Sequence, residues 1–364
     1  MQRMLSLATL GVLGGLVWMF LSGGGLNQLA VNPAAPGQQP AAPGAGLNLP
    51  GLWPTTGPVA QQPNNPAFVQ PTAAGAGLPS LVEGPKIRIA SFNIQDFGPS
   101  KAGKREIVST LAEIIRRFDV VAVQEISSKD ESFLPSFVKF INSTGRAYDF
   151  VIGLRLGNSK SKEQYAYIFD TSRIQVDPQS VYTVGDPENM LHREPHVATF
   201  RTRAPPESAF TFILVNVHTD PDVVHTKSTP GAMPGEIDVL AEVYRLVRRA
   251  SQNEDDVIML GDFNTDDRRL GRLGQIPGIK PLLKSVATNV RQTEMYDNII
   301  IHEPSTTEYA GVSGVFDIRR ELNLTNLSPT DLEQISDHLP VYAEFSALET
   351  DGTGRIASRR TTVR

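Results

Sequence analysis

Apolar residues recur at alternate positions from Lys86 to Ile94, the spacing of a strand with one buried face. Ile107, Leu111, Ile114 and Ile115 fall at helical intervals, which predicts a helix over 104–117. The run Val120-Val121-Ala122-Val123 reads as a buried strand over 119–124 that ends at Glu125. A helix is expected near 132–142, then strands at 148–154, 164–169, 196–202 and 210–217. An amphipathic helix over 236–250 precedes another buried strand at 256–260, which runs into Gly261-Asp262. Strands at 295–301, around 312–316 and at 340–345 complete the pattern. Strands outnumber helices, and the apolar runs need cover on one side. The expected fold class is α/β, a two-sheet sandwich flanked by helices. No internal repeat is visible.

The two ends have different patterns. Arg3 precedes a run from Leu5 to Leu21 with no charged residue, followed by Ser22-Gly23-Gly24-Gly25. That length sits at the low edge of the roughly 17–25 residues that span a bilayer and beyond a signal-peptide core of roughly 7–15. Gln28-Leu29-Ala30 makes a poor cleavage site. Residues 1–25 are therefore read as an uncleaved signal anchor, with a cleaved signal peptide as the alternative and a buried core helix as the third reading. One basic residue before the run sets the amino terminus inside and the bulk of the chain outside. Residues 26–83 are rich in Pro, Ala, Gly, Gln and Asn with almost no charge, so a disordered, semi-extended linker is expected. The folded domain should span 84–348, with a basic, disordered tail over 349–364. The expected location is a membrane-anchored, extracytoplasmic domain, or a secreted one if the first segment is removed.

Composition changes this picture little. The chain has 364 residues, 40% hydrophobic and 20% charged, which is ordinary for a globular protein. A net charge of −5 argues against a surface that coats nucleic acid. It leaves a nuclease open, because only the substrate groove must be positive and a bound cation supplies part of that charge. The absence of cysteine excludes disulfides and thiolate metal sites.

The candidate chemistry lies at strand ends. Glu125 closes an apolar run, and a carboxylate there is costly unless paired or bound to metal, so it is the main candidate metal ligand. Asn93, in Ser91-Phe92-Asn93-Ile94, could orient that ligand or touch the metal. His218 ends Phe212-Ile213-Leu214-Val215-Asn216-Val217, and Glu163 is its candidate carboxylate partner. Asp297 lies inside an apolar strand and needs a buried partner, for which His338 is the natural choice. Asp262 and Asn264, after Val257-Ile258-Met259-Leu260, could hold a scissile phosphate or the nucleophilic water. Singly, each residue is as well read as a turn or strand-end side chain. Together they supply what phosphodiester hydrolysis needs: a metal site, a base for water and an acid for the leaving oxygen. Magnesium is the expected ion, since it favours oxygen ligands.

The order of these strings resembles the endonuclease/exonuclease/phosphatase superfamily. The resemblance rests on Ser91-Phe92-Asn93-Ile94, Val123-Gln124-Glu125, Asn216-Val217-His218, Gly261-Asp262-Phe263-Asn264, Tyr296-Asp297 and Ser336-Asp337-His338-Leu339-Pro340, over about 86–346. Lys162-Glu163-Gln164-Tyr165, Arg193-Glu194-Pro195 and Arg116-Arg117-Phe118-Asp119 are similar to the deoxyribonuclease I branch. The resemblance implies a four-layered α/β sandwich, two packed mixed β-sheets flanked by helices, and hydrolysis with Mg²⁺ or Mn²⁺. It implies metal at Glu125 and Asn93 with support from Asp337, and phosphate and metal positioning by Asp262 and Asn264. It further implies acid/base pairs His218–Glu163 and His338–Asp297, and phosphate contacts from Arg193 and Thr288.

The chain also departs from the branch. Ile126-Ser127 follows the glutamate where an arginine usually enters the DNA minor groove, and Ser161 stands where a tyrosine packs. The branch's disulfides are missing, and its structural calcium sites are only partly matched, so Ca²⁺ is a further expected ion rather than a derived one. The first reading is a monomeric endonuclease with DNA as substrate and membrane attachment through its first segment. A phosphodiesterase or phosphatase acting on a phospholipid headgroup or other small phosphoester is the second, and a non-catalytic binding domain the third.

Overall fold

The computed structural model describes residues 30–33, 86–157, 162–227, 233–251 and 254–349. The run Leu5–Leu21, most of the expected linker and the tail beyond Glu349 lie outside the described residues. Among the described residues no helix is long and apolar enough to cross a membrane.

Two mixed sheets carry the fold. The six-stranded sheet is ordered Tyr309–Val315 (β13), Val341–Ser346 (β14), Lys86–Phe97 (β2), Val120–Ile126 (β3), Glu163–Asp170 (β5) and Tyr148–Leu156 (β4). The eight-stranded sheet is ordered Ala30–Pro33 (β1), Tyr182–Gly185 (β7), His196–Thr202 (β8), Thr211–His218 (β9), Val257–Asp262 (β10), Asp297–His302 (β12) and Ile279–Pro281 (β11), with Ile174–Val176 (β6) beside β8. The pairs β2/β3 and β9/β10 are parallel.

Three apolar clusters separate the layers. Arg105–Ile115 (α1) and Phe133–Ile141 (α2) pack Ile107, Leu111, Phe133 and Phe137 against Ala90, Phe92, Val121, Val123 and Ile168 of the six-stranded sheet. Glu236–Ala250 (α3) packs Ile237, Leu240 and Tyr244 against Ile213, Val215, Val217 and Met259 of the other sheet. Between the sheets lie Ile87, Ile89, Tyr167, Phe169, Phe212, Leu214, Ile258, Leu260, Ile299 and Ile301.

Alternation along the strands then sends particular polar residues to one edge of the inter-sheet core. Successive strand residues point to opposite faces. Phe212 and Leu214 face the other sheet, so Asn216 and His218 continue that face. The same parity leads from Ile258 and Leu260 to Asp262, from Ile301 and Ile299 to Asp297, from Ile87 and Ile89 to Asn93, and from Phe169 and Tyr167 to Glu163. Glu163 and Asp297 begin strands antiparallel to their neighbours, and so arrive at the same end as residues that close parallel ones.

Glu125 is the exception. With Val121 and Val123 packed under the helices, strict alternation would send its carboxylate to the helix side. Its φ is +64°, and the pairing with β5 slips between Val123 and Ile126. That bulge turns the side chain back to Asn93.

The expected elements appear with small boundary shifts. β3 runs through Glu125 to Ile126, and β12 begins at Asp297 rather than 295. The short strands β6, β7 and β11 were not expected. Ala30–Pro33, in the segment expected to be linker, pairs antiparallel with β7 as an edge strand.

Candidate active site

The polar ends of β2, β3, β5, β9, β10 and β12 meet in one cluster. Asp262 Oδ2 is its centre, lying 3.1 Å from Asn93 Nδ2, 3.6 Å from His218 Nε2 and 3.5 Å from His338 Nε2. Asp262 is 2% exposed, and Asn93 is fully buried. Asn93 Nδ2 also donates to Glu125 Oε1 at 2.9 Å, and the Asp96 backbone N–H donates to Glu125 Oε2 at 2.8 Å. The Gln95 N–H donates to Asn93 Oδ1 at 3.0 Å. Gln95, Asp96, Glu125 and Asn264 all hold φ between +42° and +64°. Non-glycine residues in this region carry local strain, which surrounding contacts must sustain, and such residues cluster at functional sites.

Each histidine is held from behind by a carboxylate. His218 Nδ1 lies 2.7 Å from Glu163 Oε1, and His338 Nδ1 lies 2.8 Å from Asp297 Oδ2. Both therefore turn Nε2 towards Asp262. Burial alone would lower the His218 pKa, but the charge and hydrogen bond of Glu163, with Asp262 beyond, outweigh it and raise the pKa. For His338 burial is likewise overcome by Asp297 and Asp262, and the pKa reaches about 10. Burial raises Asp297 while His338 and Thr288 pull it down, so the His338–Asp297 pair titrates as a unit and keeps its proton above neutral pH.

Arg193 Nε pairs with Glu163 Oε2 at 3.1 Å, which puts the guanidinium behind His218 and next to it. Asn264 Nδ2 donates to Thr219 O at 2.8 Å, and its backbone N–H donates to Asp262 Oδ1 at 2.9 Å. Asp337 is half-exposed at the rim, with Oδ1 4.0 Å from His338 Nε2. Thr288 is fully buried, and its hydroxyl donates to Asp297 Oδ2 at 2.7 Å while accepting the backbone N–H groups of Tyr296 and Asp297. The hydroxyl is thus committed to holding Asp297. All eleven residues singled out in the sequence reach this one end of the sandwich.

Several neighbours were missed. Lys101 donates from Nζ to the carbonyls of Ile94 and Ile335 at 2.9 Å each, and also to Gln95 O. It ties the end of β2 to the loop that carries Ser336, Asp337 and His338. Burial lowers its pKa to about 8, against the pull of Glu125, Asp337 and Asp96. Gln124 Nε2 donates to Asn216 Oδ1 at 2.6 Å, a buried amide pair directly behind the catalytic candidates. Ser336 donates to Asn93 O at 2.7 Å and accepts the His338 N–H at 3.0 Å. Alternation could have found Gln124 and Asn216, since both lie on inward parity. Nothing in the local pattern marks Lys101.

Two sets of possible ligand atoms lie within 4.8 Å of one another here: Glu125, Glu163 and His218, and Asp262, Asp297 and His338. Carboxylate and carboxamide oxygens dominate, a donor chemistry that fits a hard divalent cation.

Residues 90–338 match the Endonuclease/Exonuclease/phosphatase family. Deoxyribonuclease gamma of Rattus norvegicus is 31% identical over 273 residues, covering 70% of this chain and 83% of that one. Deoxyribonuclease-1-like 1 of Mus musculus is 30% identical over 273 residues, covering 71% and 80%. Deoxyribonuclease-1-like 1 of Sus scrofa is 31% identical over 271 residues, covering 71% and 81%.

Proposed function

Because this chain belongs to the endonuclease/exonuclease/phosphatase family, and to its deoxyribonuclease I-like branch, we propose that it is a divalent-metal-dependent endonuclease that hydrolyses DNA phosphodiester bonds. The observation that carries this reading is the convergence of two carboxylate-held imidazoles on Asp262 Oδ2, at 3.5 and 3.6 Å.

Glu125, with Asp337 at the rim, would hold the cation through oxygens that suit Mg²⁺ or Mn²⁺, and Asn93 would orient Glu125 through Nδ2. Such a cation would supply charge to offset the non-bridging phosphate oxygens. The remaining work falls to the chain. Glu163 and Asp297 fix the tautomers of His218 and His338, so each ring offers Nε2 to the cleft. One imidazole accepts the proton of the attacking water and the other protonates the leaving oxygen. Asp262, between them, orients the water, and Asn264 keeps Asp262 in place through its backbone N–H. Arg193, anchored through Nε on Glu163 and through Nη1 on the His218 carbonyl at 3.5 Å, offers its remaining N–H groups to a phosphate oxygen. Thr288 acts through Asp297.

The uncharged run Leu5–Leu21 after Arg3 supports a further part of the proposal, that the domain works outside the cytoplasm on a membrane tether. The full chain, incubated with supercoiled plasmid and Mg²⁺, should produce nicked circles, and chelator should abolish this. Intact plasmid alongside hydrolysis of sphingomyelin or inositol phosphates would overturn the DNA assignment.

A further inference from the structure

The end of the sandwich opposite the catalytic cluster holds a second concentration of carboxylates. Glu254 and Asp256 precede β10, Glu308 precedes β13 and Glu349 follows β14. Glu254 is 8% exposed, and Asp256 and Glu308 are each 2% exposed. Ligand-type oxygens of Glu254, Asp255 and Asp256 lie within 4.8 Å of one another, as do those of Asp256, Glu308 and Glu349. Asp256 belongs to both groups and is their hinge.

Like charges packed this closely and out of water need compensation. Glu349 Oε1 accepts the Thr211 N–H at 2.8 Å and Glu308 Oε1 accepts the Thr307 hydroxyl at 3.3 Å, whereas for the Glu254–Asp256 pair the backbone supplies the Asp256 N–H to Glu254 Oε1 at 3.0 Å. Glu254 Oε2 and Asp256 Oδ1 are buried with no hydrogen-bond partner. No lysine or arginine is among the main influences on either group, and burial with the neighbouring carboxylates raises both pKa values to about 9. Arg248, close in sequence, commits Nη2 to Ser305.

A second kind of side chain points the same way. Thr306 is 2% exposed and sets its hydroxyl beside Asp256 without a hydrogen bond of ordinary geometry. A buried hydroxyl oxygen without a partner, aimed at unpartnered carboxylate oxygens, is what a cation-binding cage looks like when described by its donors alone.

We propose that Glu254, Asp256, Glu308 and Glu349, with the Thr306 hydroxyl, form a structural binding site for Ca²⁺, distinct from the catalytic centre. The donors are all oxygen, which disfavours zinc and other metals that seek nitrogen or sulfur. Three buried carboxylates and a partly exposed fourth suit the high, flexible coordination number of calcium better than magnesium, which retains several waters. The site joins the two sheets. Asp256 O accepts the Ile213 N–H at 2.8 Å on the eight-stranded side, and Glu308 O accepts the Ser346 N–H at 2.7 Å on the six-stranded side. A bound ion there would hold the sheets together at the end away from the catalytic cleft.

The test compares the full chain with its Asp256→Asn/Glu308→Gln double variant. After stripping with chelator, each is titrated with Ca²⁺, bound calcium per chain is counted, and thermal unfolding is followed. The wild type should bind one more Ca²⁺ than the variant, and a hundredfold excess over Kd should raise its Tm by roughly 5–10 °C. Mg²⁺ alone should not reproduce this rise. In chelator the variant should unfold no earlier than the wild type, since like charges have been removed. Equal calcium counts and equal Tm shifts in both proteins would overturn the proposal and leave a set of shared protons instead. Should the double variant fail to fold, Thr306→Val removes one donor without altering charge. It should weaken calcium binding at this site at least several-fold, and unchanged affinity would equally overturn the assignment.

Discussion

Asn93 Nδ2 lies 3.1 Å from Asp262 Oδ2, and this one hydrogen bond crosses from the six-stranded to the eight-stranded sheet. The same nitrogen donates to Glu125 Oε1 at 2.9 Å, so one amide holds two carboxylates that would otherwise repel. Asn93→Ala should therefore lose about 10–100-fold in activity and need more metal to reach its maximum, as expected for a group that orients a metal ligand. Asn93→Asp should do worse, because it replaces the donor with a third negative charge. Metal titrations of plasmid nicking check both. Wild-type metal dependence in Asn93→Ala would show that Asn93 only fills space.

The two imidazoles carry the proton transfers in the proposed reaction. His218→Ala or His338→Ala should reduce turnover by about 10²-fold or more with the fold retained. Glu163→Gln leaves a side chain of the same shape but removes the charge that holds the His218 ring and anchors Arg193. It should lose activity by a similar order. Single-turnover rates on a defined duplex decide the matter, and near-wild-type rates in either histidine variant would remove that residue from the mechanism.

Much of this cluster was legible because strands print their geometry on the sequence. A polar residue at the end of an apolar run such as Phe212–Val217 or Val257–Leu260 inherits the parity of the residues before it, so His218 and Asp262 could be placed on one face without coordinates. Glu125 was found by position and chemistry, but its orientation depends on a bulge at φ +64°, which alternation would have answered wrongly. Thr288 was legible as a site residue, but what its hydroxyl touches is settled by the loop that carries it. Lys101 was invisible, since its three acceptors are backbone carbonyls from segments more than 230 residues apart in part. The acidic cluster beneath β10 was missed for the same reason. Its members come from three separate chain turns.

Gly261 fixes the approach of β9 and β10. Its φ is +149°, and a Cβ built there would sit 1.9 Å from Val217 O. His218 and Asp262 are direct register partners at this point. Gly261→Ala should cost about 3 kcal/mol or more, since backbone must move to relieve the overlap. Under the proposed reaction it should also abolish nicking, by parting His218 from Asp262. Urea unfolding and activity measured together test this, and an alanine variant of ordinary stability would contradict the close approach.

Lys101 is a positioning residue under the same reading. Lys101→Met keeps most of the aliphatic stem but leaves the Ile94, Gln95 and Ile335 carbonyls without their donor. A loss of about 1–3 kcal/mol is expected from the unmade bonds. The metal requirement should rise as well, because the segments that carry Asn93 and Asp337 are no longer tied. If only stability changes and the metal titration overlays the wild type, the lysine is merely structural.

His196 gives the protein a pH dependence that has nothing to do with catalysis. It faces the inter-sheet core at 1% exposure, stacked on Tyr167 at 5.4 Å, and the Tyr182 backbone gives its ring a contact that falls short of an ordinary hydrogen bond and offsets only part of the burial. Tyr167 and Tyr182 are its neighbouring titratable groups, and neither offers a negative charge near neutral pH. Burial therefore lowers its pKa from 6.5 to about 4. A depressed pKa means that the unfolded chain binds a proton before the folded one does. Stability is fully present above about pH 6.5, falls as pH drops towards 4, and levels off below that. Over this window the loss from His196 alone is about 3 kcal/mol. His196→Leu cannot take up that proton. The difference in unfolding free energy between wild type and variant, read from urea titrations at several pH values with equal m-values, should shrink or reverse by that amount between pH 7 and 4. A difference that stays constant across the range would mean that the ring is solvated or paired, and that the inter-sheet core opens at this point.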